Sequence, residues 1–372
     1  MGQMYFGKDN LVTLYVLLFI GAAFALPFKA QTANGLLLGA ILPGIFLWDR
    51  RFTIHPILAP IPLFLLVLFS MFWTKNQARG WTSIEQQSSL LLVPVAFYVG
   101  RQYFTQAIIN KILMAFVVAM MLYLVGGYIR VHLDTGLWIF YREDLTSYTM
   151  HPGYVSTYVL VCFLIVWRFD FNRIVQIVLS LILVVALIIL SSKNQLITFS
   201  IILLGILIYY AKKNRGHLIA LASLLLVFSV FFANSPFILE RFSNPKNHFR
   251  MKMAEVSFSI IKLHPLIGVG IGDRQDELDI RYPPVEEDWR LHGFNAHNQI
   301  LDYCILGGVI TVLAYLLIFL IPIWKYPNYF SLGFFLIVFS AGLTESFLFR
   351  QAGLLLLLIF SGIFSRSNHY KY

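Results

Sequence analysis

The sequence predicts an all-α integral membrane protein of about twelve transmembrane helices, with one long polar loop that carries helices of its own. Three observations predict it. The 372-residue chain is 59% hydrophobic and only 12% charged, with a mean hydropathy of +0.75, where soluble domains carry roughly 25% charged residues. Cutting it at every Asp, Glu, Lys and Arg leaves twelve long uncharged runs: 10–28, 30–48, 52–74, 86–100, 112–129, 145–167, 174–192, 194–211, 216–239, 303–324, 326–344 and 351–365. Half of the acidic residues, 9 of 18, fall in one 62-residue stretch, 235–296.

Most runs match the ~17–25 residues with which a helix crosses a bilayer. The runs 86–100 and 351–365 have 15 residues and borrow polar flanks. In lipid only helices and closed barrels satisfy their own backbone groups, and runs this long are helices. The first apolar run follows Lys8 and lacks a small-residue cleavage site, so it reads as a retained helix. Pro27, Pro43, Pro60, Pro62, Pro94, Gly126-Gly127 and Gly307-Gly308 read as kinks or close-packing points. A shorter polar loop near 130–151 holds Trp138, Tyr141 and Tyr148 as interfacial anchors.

Lys and Arg favour the cytoplasmic side of short loops. With both termini inside, the inner segments hold 13 of these cations and the short outer loops 7, while the long loop holds the other 8. This places 235–296 outside. The expected organisation is helices one to nine over 1–234, the outer loop over 235–296, then three helices and a short cytoplasmic tail over 297–372. The +10 net charge follows largely from this bias, and no nucleic-acid motif accompanies it. Cys162 and Cys304 both lie among apolar residues, which indicates neither a disulfide framework nor a metal cluster.

A polar loop this long is usually functional or disordered, and this one has helix and turn signals. Phe249, Met253, Val256, Ile260 and Leu263 recur at spacings of three and four, predicting an amphipathic helix over 247–263. Arg250 lies on a neighbouring face with Ala254, Ser257 and Ile261. Pro265 ends the helix, and Gly268, Gly270 and Gly272 predict a flexible turn. Asp273, Asp276, Glu277 and Asp279 lack the order and glycine of an EF-hand, so they read as a solvated acidic face. The glycine-rich stretch follows a helix and not a strand, unlike a dinucleotide fingerprint. His297 then heads a helix that enters the bilayer. His297-Asn298 suits a helix cap as well as a reactive site, and Arg250 could snorkel to headgroups. Asp302, one turn into the span, is either functional or paired with a nearby cation.

The order Arg250, helix, His264-Pro265-Leu266-Ile267-Gly268-Val269-Gly270-Ile271-Gly272, His297-Asn298-Gln299-Ile300-Leu301-Asp302, then Gly307-Gly308 resembles the O-antigen ligase and O-antigen polymerase superfamily. The resemblance is specific over about 190–320. It implies a GT-C-like membrane glycosyltransferase of the bacterial inner membrane that works without metal or cofactor. Its donor would be a glycan on undecaprenyl diphosphate, presented at the periplasmic face, and its acceptor lipid A-core for a ligase or another lipid-linked glycan for a polymerase. The family histidine falls on His297, and the arginine opening the loop helix falls on Arg250. A second family arginine lies in a turn that here reads Ser191-Ser192-Lys193-Asn194, so Lys193 keeps the charge without the bidentate fork.

A departing diphosphate gathers negative charge, which fixed cations stabilise; Arg250, Lys193 and Arg241 are the candidates. The acceptor hydroxyl gains from a general base, the role expected of His297, which could alternatively donate a hydrogen bond to the diphosphate. His151, Asn298 and Asp302 form a second tier, His151 because His151-Pro152-Gly153-Tyr154 resembles a segment opening a span in some members. A transporter or flippase of lipid-linked glycan is the rival class. Transporters place ionisable residues near the bilayer midplane, whereas here the polar residues gather in one outer loop.

Overall fold

Uncharged runs become helices because a backbone in apolar surroundings must satisfy its own polar groups. The computed structural model describes residues 7–136, 150–169, 171–211, 247–282 and 293–364, and every element among them is an α-helix or a short 3-10 turn. In chain order the helices are α1 (Lys8–Ala25), α2 (Ala30–Leu47), α3 (Pro60–Phe69), α4 (Gln77–Gln87), α5 (Ser89–Val99), α6 (Gln106–Thr135), α7 (Pro152–Arg168), α8 (Arg173–Leu190), α9 (Lys193–Ala211), α10 (Asn247–Leu263), α11 (Arg274–Arg281), α12 (Gln299–Lys325), α13 (Tyr329–Thr344) and α14 (Gln351–Phe364). The uncharged run 216–239 and the anchors Trp138, Tyr141 and Tyr148 lie outside the described residues.

Five of these helices, α1, α2, α6, α8 and α12, are long and apolar enough to cross a membrane. The apolar helices α7, α13 and α14 have 17, 16 and 14 residues. The expected count of about twelve spans thus rests on the uncharged runs alone. Run 52–74 is not one helix. Proline cannot donate to a helical ladder, and Pro60 starts a helix of 10 residues between 3-10 turns at Pro56–Leu58 and Ser70–Phe72.

The chain divides into two compact units. The first comprises Met1–Phe116, His248–Ser331 and Gly342–Tyr372; the second comprises Val117–Asn247 and Leu332–Ala341. In the first, α1 and α2 form a hairpin against α5, where Phe19, Phe97 and Phe104 pack as an aromatic cluster. In the second, α7 packs on α8, and the Trp167 indole donates to Ser180 Oγ at 3.1 Å.

The expected loop helix is α10, with its predicted bounds. Its buried stripe is Met253, Ser257 and Ile260, with Val256 and Ile261 half-buried. Leu263, placed on that face by spacing, is exposed, because the chain leaves the helix there for Pro265. Met253 and Ile260 share a core with Val269, Leu278, Tyr282, Ala296 and Ile305, the last from α12. Burial pushes the Tyr282 phenol up, and its hydroxyl donates to the Asn295 carbonyl at 3.2 Å.

The glycine stretch turns, as expected, at 265–267 and 271–273, but it is tied down and not flexible. Helix α12 breaks at Gly307 (φ −141°, ψ 20°) and Gly308 (φ 67°, ψ −165°), and residues 265–270 fill the break. Val269 N donates to Ile305 O at 2.8 Å, Gly270 N to Leu306 O at 2.9 Å, and Val309 N to Pro265 O at 2.9 Å. Broken helix backbone inside an apolar run is tolerated only where protein re-satisfies it, and these bonds do so. The approach is close enough that a Cβ on Gly268 would overlap the backbone at Ile305–Gly307, and one on Gly308 would overlap the backbone at Leu266 and Ile267. Onward, Ile271 N donates to Ser70 Oγ at 3.1 Å. The Asp273 carboxylate accepts from Lys75 N and Asn76 N, both at 2.8 Å.

The acidic residues that follow are fasteners and not a solvated face. Asp273 is 8% exposed. Asp276 meets Arg79 and Asn76, Glu277 meets Arg281, and Asp279 accepts from Gln275 and Gly293 N. Between α11 and α12, Arg274 pairs with the fully buried Asp302, and its guanidinium stacks over Phe349 at 4.1 Å. Among the described residues, no group of three or more His, Cys, Asp and Glu could hold a metal ion.

Two stability predictions follow from these contacts. Gly308 occupies a backbone region open essentially only to glycine, so Gly308→Ala should cost about 3 kcal/mol or more and lower the melting temperature in lipid nanodiscs. Gly126→Ala, where a Cβ meets nothing within 4 Å, should leave it nearly unchanged. Arg274→Met strands the Asp302 charge and should cost roughly 3–5 kcal/mol. Adding Asp302→Asn should recover part of that loss in the same melting experiment.

Candidate functional site

The site grows from the start of α12. Asn298 caps that helix, its side-chain oxygen accepting from Ile300 N at 2.9 Å and Leu301 N at 3.1 Å. Such a cap satisfies amides that have no partner within the helix. The capping role of Asn298 is therefore real. His297, just before the cap, is left-handed at φ +46°, a region few non-glycine residues occupy. Asn295 Oδ1 holds its amide at 3.0 Å.

That turn brings the imidazole to Glu345. His297 Nδ1 lies 3.0 Å from Glu345 Oε2, and Arg250 Nη2 lies 3.4 Å from Glu345 Oε1. One carboxylate thus joins the two residues that carry the expected chemistry. The Glu345 side chain is 18% exposed, His297 24% and Arg250 53%, so Arg250 is the loosely held partner. The Phe294 ring lies 5.8 Å from the imidazole, centre to centre.

Glu345 stands in the short connection between α13 and α14, and the first turns of α12 grip that connection on both sides. Asn298 Nδ2 donates to Leu343 O at 3.1 Å, and Gln299 Oε1 accepts from Leu348 N at 2.6 Å. Ser346 Oγ donates to Asp302, and Gln87 Nε2 donates to Leu348 O at 3.0 Å. Asp302 thus resolves toward pairing: it anchors Arg274 and the residue after Glu345, and it is fully buried.

Of the sequence-derived candidates, the first unit brings together His297, Arg250, Asn298 and Asp302. Lys193 and His151 belong to the second unit. Ser191 closes α8 in a left-handed conformation, and Lys193 follows as the first residue of α9. That turn is braced within its unit by Asn194 Nδ2 donating to Ser340 O at 2.6 Å. His151 caps α7, its Nδ1 accepting from Gly153 N at 3.3 Å. Arg241 lies outside the described residues.

Two residues escaped the sequence reading. Glu345 had a signal: it is the only acidic residue after Asp302, and it ends an uncharged run. Arg274 had little, being one of several charges in a polar stretch.

A family model described as O-antigen ligase matches residues 177–316. No match was found among curated proteins. The matched stretch contains Lys193, Arg250, the glycine stretch, His297, Asn298, Asp302 and the Gly307-Gly308 break, and it stops short of Glu345. With its apolar helices, the chain has the character of a multi-pass membrane protein. Over residues 177–316 the family match supports placing this chain in the O-antigen ligase and polymerase superfamily, as a membrane glycosyltransferase of that type.

Proposed function

We propose that the protein transfers a glycan from undecaprenyl diphosphate to an acceptor hydroxyl at the periplasmic face of the inner membrane, as an O-antigen ligase acting on lipid A-core. The observation that carries this reading is the meeting of His297 and Arg250, both within the family-matched stretch, on Glu345 of the same unit.

The chemistry is a displacement at the anomeric carbon. The acceptor oxygen forms a bond to that carbon while the bond to the diphosphate oxygen breaks, and its electron pair leaves with undecaprenyl diphosphate. The acceptor proton passes to His297. A carboxylate only accepts hydrogen bonds, so the Nδ1 nitrogen facing Glu345 carries the imidazole proton and Nε2 is the basic atom. Arg250, half in solvent and loosely held by Glu345, can reach the diphosphate and stabilise its developing charge. Lys193 and Arg241 are proposed as further diphosphate contacts, and His151 as a contact to acceptor or diphosphate. The reading requires neither metal nor cofactor.

The test uses purified protein in lipid with undecaprenyl-diphosphate glycan, with and without lipid A-core, in EDTA. Product on lipid A-core is expected. His297→Ala should lower the rate by roughly 10²–10⁴-fold and Arg250→Ala by about 10²-fold, with both variants still membrane-inserted. Longer lipid-linked glycan without any core acceptor would make the protein a polymerase. Gradient-driven movement of donor with no transfer would make it a transporter.

A further inference from the structure

Glu345 lies outside the matched family stretch, and beyond facing His297 Nδ1 it has no part in the chemistry above. We propose that Glu345 is a positioning residue with two tasks: it orients the His297 imidazole, and it competes with the lipid diphosphate for Arg250. The inference rests on the roles proposed for His297 and Arg250.

The two halves of the carboxylate are held unequally. Oε2 meets His297 at 3.0 Å between side chains 18% and 24% exposed. Oε1 meets Arg250 at 3.4 Å, and the Arg250 side chain is 53% exposed. The carboxylate itself is fixed, because α12 binds the backbone at Leu343 and Leu348 and the Ser346 hydroxyl on either side of it. Arg250 rides on α10, whose next buried residue inward is Met253. A half-exposed pair at this distance is weak, worth about two- to fivefold in an equilibrium. A diphosphate offers more charge and more acceptor oxygens, and guanidinium suits phosphate well. When the lipid diphosphate draws Arg250 away, Glu345 stays with His297 and keeps its proton on Nδ1. Donor binding thereby takes Arg250 off the carboxylate while His297 keeps its place on Oε2.

A residue that merely braced the fold would weaken donor binding and turnover together when changed. Competition for Arg250 gives the opposite signature. Glu345→Gln should bind undecaprenyl diphosphate about two- to fivefold more tightly, because Arg250 loses its rival. Its kcat should fall about tenfold or more, because the base loses the carboxylate that holds its tautomer and orientation. In an Arg250→Ala background the tightening should vanish. Binding is measured with undecaprenyl diphosphate itself on full-length protein in nanodiscs, so it needs no transfer. Should Glu345→Gln fail to reach the membrane, Glu345→Asp, which withdraws the charge from both partners, should show the same split.

Unchanged or weaker binding in these variants would overturn the competition, as would tightening that persists without Arg250. An unchanged kcat would overturn the orienting task. Full transfer by His297→Ala would instead sink the reading on which the inference rests, whatever Glu345 does.

Discussion

The break in α12 at Gly307-Gly308 is the constraint on which the first unit depends. An interrupted helix exposes carbonyl and amide groups that an apolar interior penalises by several kcal/mol each. Here Ile305 O, Leu306 O and Val309 N are answered by the backbone of residues 265–270, which comes this close because Gly268 and Gly308 carry no Cβ. Each net hydrogen bond contributes only about 1 kcal/mol, but leaving the groups unpaired would cost more. The break and the glycine stretch therefore explain each other.

From this junction the rest of the site is laid out in both directions. Upstream, it fixes the end of α10 and with it the height of Arg250 along the unit. Downstream, the stretch continues over Ser70 to Asp273, whose carboxylate grips the start of α4. Asp273 leads into α11, where Arg274 reaches Asp302 beneath the cap of α12. Asp302, Gln299 and Asn298 then hold the segment bearing Glu345. A buried ion pair seldom adds net stability. Its evident work here is placement, since Ser346 on Asp302 sets where its neighbour Glu345 can reach.

What was legible in the sequence was what is local. The spacing of Met253, Val256 and Ile260 located α10, Pro265 ended it, and the order of Arg250, glycines and His297 singled out the family-matched stretch. Misread features depended on partners far along the chain. Val269 and Gly270 looked like part of a turn because the carbonyls they bind, at Ile305 and Leu306, are each 36 positions away. Asp273 looked solvated because the amides it binds belong to Lys75 and Asn76. Pattern could not reveal that run 52–74 is a helix between two 3-10 turns, or that Leu263 turns outward. Glu345 was visible as a lone acid, but its meaning needed the geometry that joins it to His297 across 48 positions.

The central claim is that a lipid diphosphate is received by Arg250 beside a histidine held on Glu345. An experimental structure of the protein in nanodiscs with undecaprenyl diphosphate tests this most directly. Diphosphate density is expected against the Arg250 guanidinium, with His297 Nδ1 still on Glu345 and its Nε2 facing the phosphate-bearing side. Diphosphate seated away from both Arg250 and His297, or an imidazole turned off Glu345 in the bound state, would contradict it.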